Sequence, residues 1–145
     1  MGNIAFNVSK GRSAYYASLP GANDALIMVV LESAGLEDDA TLKDYATLAD
    51  LLAGASSEHG PMTRKTLANV TVTVDNANDW VALDADDVTW TAATGSSVGA
   101  VVVCYDPDTT VGTDADLVPL SKHDFSVTPD GLDIVLQIAD FLRVT

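Results

Sequence analysis

Two stretches of this chain offer no polar face to any strand they form: "ALIMVVL" (Ala25 to Leu31) and "VGAVVVCY" (Val98 to Tyr105). Each is far shorter than the roughly 20 residues a helix needs to cross a bilayer. Both are rich in β-branched side chains, which suit a pleated, packed surface. A strand that is apolar on both sides must be covered on both sides. The two runs are therefore expected to be central, fully buried strands, and the rest of the chain must supply their cover.

Most of that rest also reads as strand and turn. Val70, Val72 and Val74 alternate with Thr71, Thr73 and Asp75, the period of a half-buried strand with its polar face outward. Val81, Leu83, Val88, Trp90 and Ala92 continue the pattern around the bend "DADD", and "LVPL" and "FSVTPDGLDIVLQI" follow. Thr128-Pro129-Asp130-Gly131 has β-turn chemistry and should join a strand ending near Val127 to one over residues 133–138. Near the N-terminus "NIAFNV" alternates like a short strand, residues 15–19 are ambiguous, and "PGAND" is a breaker.

One helix is predicted over about residues 42–52. Leu42, Tyr45, Leu48, Ala49 and Leu52 recur at helical spacing, with Thr41 placed to cap and Gly54 as terminator. About eight short strands and one helix in 145 residues define a mainly β fold, a single β-sandwich or barrel-like domain. The expected organisation is a β domain over residues 25–145, preceded by an N-terminal segment over residues 1–24 that serves as an arm, including between subunits.

The net charge is −14, which disfavours nucleic acid as a partner because its phosphates demand basic residues. The charge is uneven. Residues 1–23 hold Lys10 and Arg12 and no acid, whereas residues 75–145 hold thirteen acids against Lys122 and Arg143. Lys10, Arg12, Tyr15 and Tyr16 combine cations with aromatics, the residue types enriched in protein interfaces. They are the candidate interface, with an ordinary edge strand as the plainer alternative. The first residues lack the apolar core of a secretory signal, and Phe6 breaks the myristoylation pattern. A soluble chain with no membrane partner is expected.

No catalytic, cofactor-binding or metal-binding set emerges. The loop "DPDTTVGTDAD" carries Asp106, Asp108, Asp114 and Asp116, but Gly112 is one place late for an EF-hand, Thr110 replaces an acid and Leu117 replaces the closing glutamate. Its aspartates suit Asx turns instead. Ser121, His123 and Asp124 lie too close together in one strand to converge as a triad, because neighbours there point to opposite faces. Cys104, inside an apolar run, reads as an inert small hydrophobe. Trp80 and Trp90 could stack on sugars or bases, but their apolar-flanked, alternating positions suit core anchors.

The blocks "LEDDATLKDYATLADLLAG", "RKTLANVTVTVDNANDWVALDADDVTWTAATG" and "VVVCYDPDTTVGTDADLVPLSKHDFSVTPDG" resemble a family of small virion structural proteins of tailed bacteriophages, encoded near the major capsid protein. The resemblance implies a head decoration (cement) protein on the outer surface of the virion. It would be made in the host cytoplasm, bound to the major capsid protein, and homo-oligomeric, with a trimer at three-fold positions favoured. It implies no enzyme and no cofactor. A neck or tail component is the alternative within the virion, and a carbohydrate-binding or adhesin-like module the alternative outside it. Exposed threonine and aspartate on sheet surfaces suit a protein held at high copy number, since they resist cross-aggregation.

Overall fold

The two wholly apolar runs lie side by side. In the computed structural model, which describes residues 2–145, β2 (Ala25–Glu32) and β7 (Val98–Asp106) pair antiparallel, with Ile27 opposite Cys104 and Val29 opposite Val102. They form the middle of a five-stranded sheet. β1 (Ile4–Ala5) and β8 (Val118–Val127) lie on one side of the pair and β3 (Lys65–Thr66) on the other, in the order β1-β8-β7-β2-β3.

Strand alternation sends the two faces of this sheet into different cores. Leu26, Met28 and Val30 of β2, with Val101 and Val103 of β7, face a core completed by Leu83, Val88, Trp90 and Phe141. Those residues belong to, or adjoin, two smaller sheets. One holds β4 (Thr71–Asp75), β5 (Trp80–Asp84) and β10 (Leu142–Val144) in the order β10-β5-β4; the other pairs β6 (Val88–Trp90) with β9 (Ile134–Leu136). Ile27, Val29 and Leu31, with Val102 and Cys104, face a second core closed by Phe6, Leu42, Leu48, Leu51 and Leu117. The central sheet is thus sandwiched between sheets on one side and short helices on the other. The fold is mainly β, and its sheets stay open rather than closing into a barrel.

The expected single helix over residues 42–52 is instead two. α2 spans Asp39–Leu42, after the short helix α1 (Ser13–Ala17), and α3 spans Leu48–Ala53. Each has its own cap. The Thr41 N–H donates to Asp38 Oδ1 at 2.8 Å, and the Asp50 N–H donates to Thr47 Oγ1 at 3.1 Å. Thr41 is therefore inside α2 rather than its cap. The break has a tertiary cause: the Leu48 and Ala49 N–H groups donate to the Leu117 and Asp114 carbonyls, each at 3.0 Å. That anchors the start of α3 on the β7–β8 connection, and residues 43–47 turn to reach it. Of the predicted stripe, Leu42 and Leu48 are fully buried, but Leu52 is only half-buried and Leu51, which the helical spacing left out, takes the third core position.

Residues 2–24 are likewise not a free arm. β1 pairs with β8, Ile4 opposite Lys122, and Phe6 has no exposed surface. The Ser9 hydroxyl donates to the Phe6 carbonyl at 3.1 Å and the Leu120 carbonyl at 3.0 Å, and Ser13 Oγ donates back to the Ser9 carbonyl. Ser9, Ser13 and Ala17 are buried. A Phe6 buried in the second core and two serines that satisfy main-chain carbonyls make this segment part of the domain itself.

The β-turn expected over Thr128–Gly131 does not form: the Gly131 N–H donates to the Ala93 carbonyl at 2.7 Å, and the strand that follows, β9, crosses to pair with β6 rather than β8. Among the described residues no helix is long and apolar enough to cross a membrane.

Candidate functional site

The candidate interface is built on the turn and helix that follow β1. Phe6 and Ser9 hold this segment against Leu120 of β8, Ser13 ties back to Ser9, and Lys10, Arg12 and Tyr15 are left facing solvent. Lys10 and Arg12 are exposed. Of the chain's basic residues, Arg64, Lys122 and Arg143 are ion-paired. Lys10 and Arg12 have no carboxylate at ion-pair distance among the described residues, and Lys10 Nζ donates only to Asn7 Oδ1, at 2.9 Å.

The two tyrosines divide their roles. Tyr15 is 60% exposed and meets Tyr16 edge-on, with ring centroids 5.8 Å apart. Tyr16 is half-buried and lies 4.7 Å from the ring of Tyr105 in β7. The Tyr105 hydroxyl donates to Asp24 Oδ2 at 2.9 Å, and burial together with that carboxylate raises its pKa to about 12. Tyr105 stays a neutral donor at any ordinary pH. Three rings thus run from the core to the surface, and the outermost is braced by the other two. A pre-positioned aromatic in the same short segment as two unpaired cations is suited to docking a partner, because the braced ring loses little side-chain freedom on binding. All four predicted residues lie in this one segment. Tyr105 and Asp24 complete the site and were not anticipated, since their contact depends on the fold.

The aspartate loop is occupied by its own chain. Asp106 accepts from the Asp108 N–H, Asp108 from the Thr110 N–H and hydroxyl, and Asp116 from the Thr113 N–H and hydroxyl. Asp114 accepts two bonds from Arg64, whose guanidinium also forks onto Glu58. The two carboxylates push the pKa of Arg64 still higher, and Arg64 in turn lowers that of Asp114. Among the described residues no group of three or more His, Cys, Asp or Glu is placed to hold a metal ion. Burial raises the pKa of the Cys104 thiol and keeps it protonated. Trp90 is a core residue whose indole donates to the Thr63 carbonyl, whereas Trp80 is half-buried under the Arg143 guanidinium, 4.4 Å from its ring.

The expectation for Ser121, His123 and Asp124 needs correction in one respect. Ser121 and His123 are two apart, so they share a face of β8, and Ser121 Oγ lies 3.0 Å from His123 Nε2. Asp124 points the other way and accepts from Lys122. The pair therefore has no carboxylate to orient the imidazole, and Ser121 is only 1% exposed, so a substrate cannot reach its hydroxyl. Burial, and secondarily the charge of Lys122, hold the pKa of His123 below its ordinary 6.5, against the opposing effects of the Phe141 main chain and Asp124.

That shift has a consequence for stability. A histidine with a depressed folded pKa takes up its proton more readily in the unfolded chain, so stability rises with pH through that range. The contribution of His123 is complete above about pH 6.5 and is lost as pH falls below it. Denaturant unfolding at about pH 7.5 and about pH 5.5 should show the native chain losing stability on acidification, and His123→Gln losing less. Equal losses in both proteins would exclude His123 as the cause.

No protein family, curated protein or solved structure matches the chain.

Proposed function

We propose that this protein is a bacteriophage head decoration (cement) protein that binds the assembled lattice of the major capsid protein, with the segment carrying Lys10, Arg12, Tyr15 and Tyr16 as its attachment surface. The observation that carries the attachment is the combination of two unpaired cations with a braced, exposed tyrosine on a molecule of net charge −14. A surface so acidic repels an acidic lattice unless it presents a local positive face. The capsid as partner rests on the resemblance of the three sequence blocks to small virion proteins. In this role the protein is a homo-oligomer on the outer head surface, without catalytic or cofactor chemistry.

The side chains of Lys10 and Arg12 project from the domain, so reversing their charge spares the core. A Lys10→Glu, Arg12→Glu double variant should melt like the native chain but fail to decorate heads in a sedimentation binding assay. Removing residues 1–16 is not an equivalent test, because it also removes Phe6, Ser9 and Ser13. Saturation of heads by the double variant at native affinity would place attachment elsewhere. Absence of binding by the native chain would remove the capsid from the proposal.

A further inference from the structure

β4 (Thr71–Asp75) closes one side of the sheet β10-β5-β4 and pairs only with β5. It is the longest strand at any sheet edge, since β1 and β3 have two residues each and β6, β9 and β10 three each. Proteins ordinarily blunt such an edge with lysine, proline or a bulge. β3 carries Lys65 and β10 carries Arg143, but β4 reads Thr-Val-Thr-Val-Asp, and its ladder with β5 runs without a register shift.

The apolar face of this sheet also runs on past its cover. Leu142, Leu83 and Val72 form one row across the three strands and pack into the core. Val144, Val81 and Val74 form the next row on the same face, and there Val74 is 61% and Val144 42% exposed.

We propose that β4 is a self-pairing edge, to which a second copy adds its own β4 antiparallel about a two-fold axis through Thr73. This register pairs all five residues. Val74 falls opposite Val72 of the second copy, so the exposed row Val144–Val81–Val74 continues into Val72, Leu83 and Leu142 of that copy. On the other face Thr73 meets its own equivalent, a favourable cross-strand pair. Asp75 faces Thr71, so no two carboxylates stand directly opposed despite the acidity of the chain. This self-complementarity of side chains and charge commits the occupant to a second copy rather than to a strand of different sequence. A five-residue edge buries little area, which makes the contact weak and concentration-dependent in solution and stronger where copies are held side by side. A two-fold contact joins copies in pairs and cannot by itself build a trimer. It stands on β4 alone, whether or not the protein decorates a head.

The test uses Thr73→Cys, at an exposed position, in a chain whose own cysteine is buried. Oxidised glutathione should convert this variant to a covalent dimer on non-reducing gels much faster than it converts Ala77→Cys, which lies in the hairpin turn and off the ladder. Sedimentation equilibrium up to about 1 mM should show a reversible dimer for the native chain. Val74→Lys, with an unchanged circular dichroism spectrum, should be monomeric over the same range. A native chain that stays monomeric throughout, or equal cross-linking of the two cysteine variants, would overturn the proposal.

Discussion

Phe6→Ala is expected to lower the unfolding free energy by about 3–5 kcal/mol, the cost of truncating a fully buried aromatic. Phe6 has no exposed surface and sits in the core shared by the central sheet and the helices, together with Leu42, Leu48 and Leu51. Alanine keeps the main-chain bond from residue 6 to the Leu120 carbonyl (3.1 Å), so the loss reports the packing of the ring that anchors the segment presenting Lys10, Arg12 and Tyr15. Urea unfolding followed by circular dichroism gives the number directly. A loss below about 0.5 kcal/mol, the range of ordinary surface changes, would show that residues 2–24 contribute little to the domain and act as an arm after all.

The second large effect concerns Lys122, which is 0% exposed although it carries a charge. Its ammonium donates to the Gly2 carbonyl at 2.9 Å, to Asp39 Oδ1 at 3.0 Å, and to Asp124. All three of its donors are satisfied. The Gly2 N–H also donates to Asp39 Oδ2 at 2.6 Å, so one carboxylate joins the first residues, α2 and β8. Removing both carboxylates (Asp39→Ala, Asp124→Ala) strands the buried ammonium and should cost about 3–5 kcal/mol. Lys122→Met should cost distinctly less, because it keeps the apolar stem and leaves behind carboxylates that reach water. The order of the two losses is the test. If Lys122→Met proves the more damaging, the stem and its packing matter more than the charge. Asp39 also gives the network a pH signature. The Gly2 N–H, aided by Lys122, holds its pKa below the ordinary 3.8. Its contribution is complete above that value and is lost as pH falls below it.

The central architecture was legible because burial on both faces leaves an unmistakable mark: Ala25–Leu31 and Val98–Tyr105 have no polar side to expose. The β4 strand was equally plain, since Val72 and Val74 alternate with threonine. The helical region was only half legible. Leucine spacing placed Leu42 and Leu48 inside but chose Leu52 over Leu51, because the break after Leu42, which depends on carbonyls of Leu117 and Asp114 far along the chain, resets the helical phase. Lys122 left no signal at all, because "SKHD" looks like a polar strand and its partners come from Gly2 and Asp39. Of the candidate interface, the four residue identities were visible in a stretch without acids. The bracing by Tyr105 was not, since nothing local connects residue 105 to residue 16. The Ser121–His123 contact could have been found from strand period alone, since residues two apart share a face.

The pairing registers also set the order in which this chain can become stable during synthesis. β2 emerges early, apolar up to Glu32, yet the partner along its full length is β7, with Ile27 opposite Cys104. β1 must wait still longer for Lys122, and β5 waits for Leu142, opposite Leu83, before its sheet is complete. Non-local pairings of this kind slow folding and leave apolar strands uncovered meanwhile. The helices that cover one face of β2 follow it directly, but the chain must leave the ribosome through Asp106 before the nascent β2 is paired along its length. Until then its protection from other nascent chains falls to the acidic segments around it and to the chaperones of the cell.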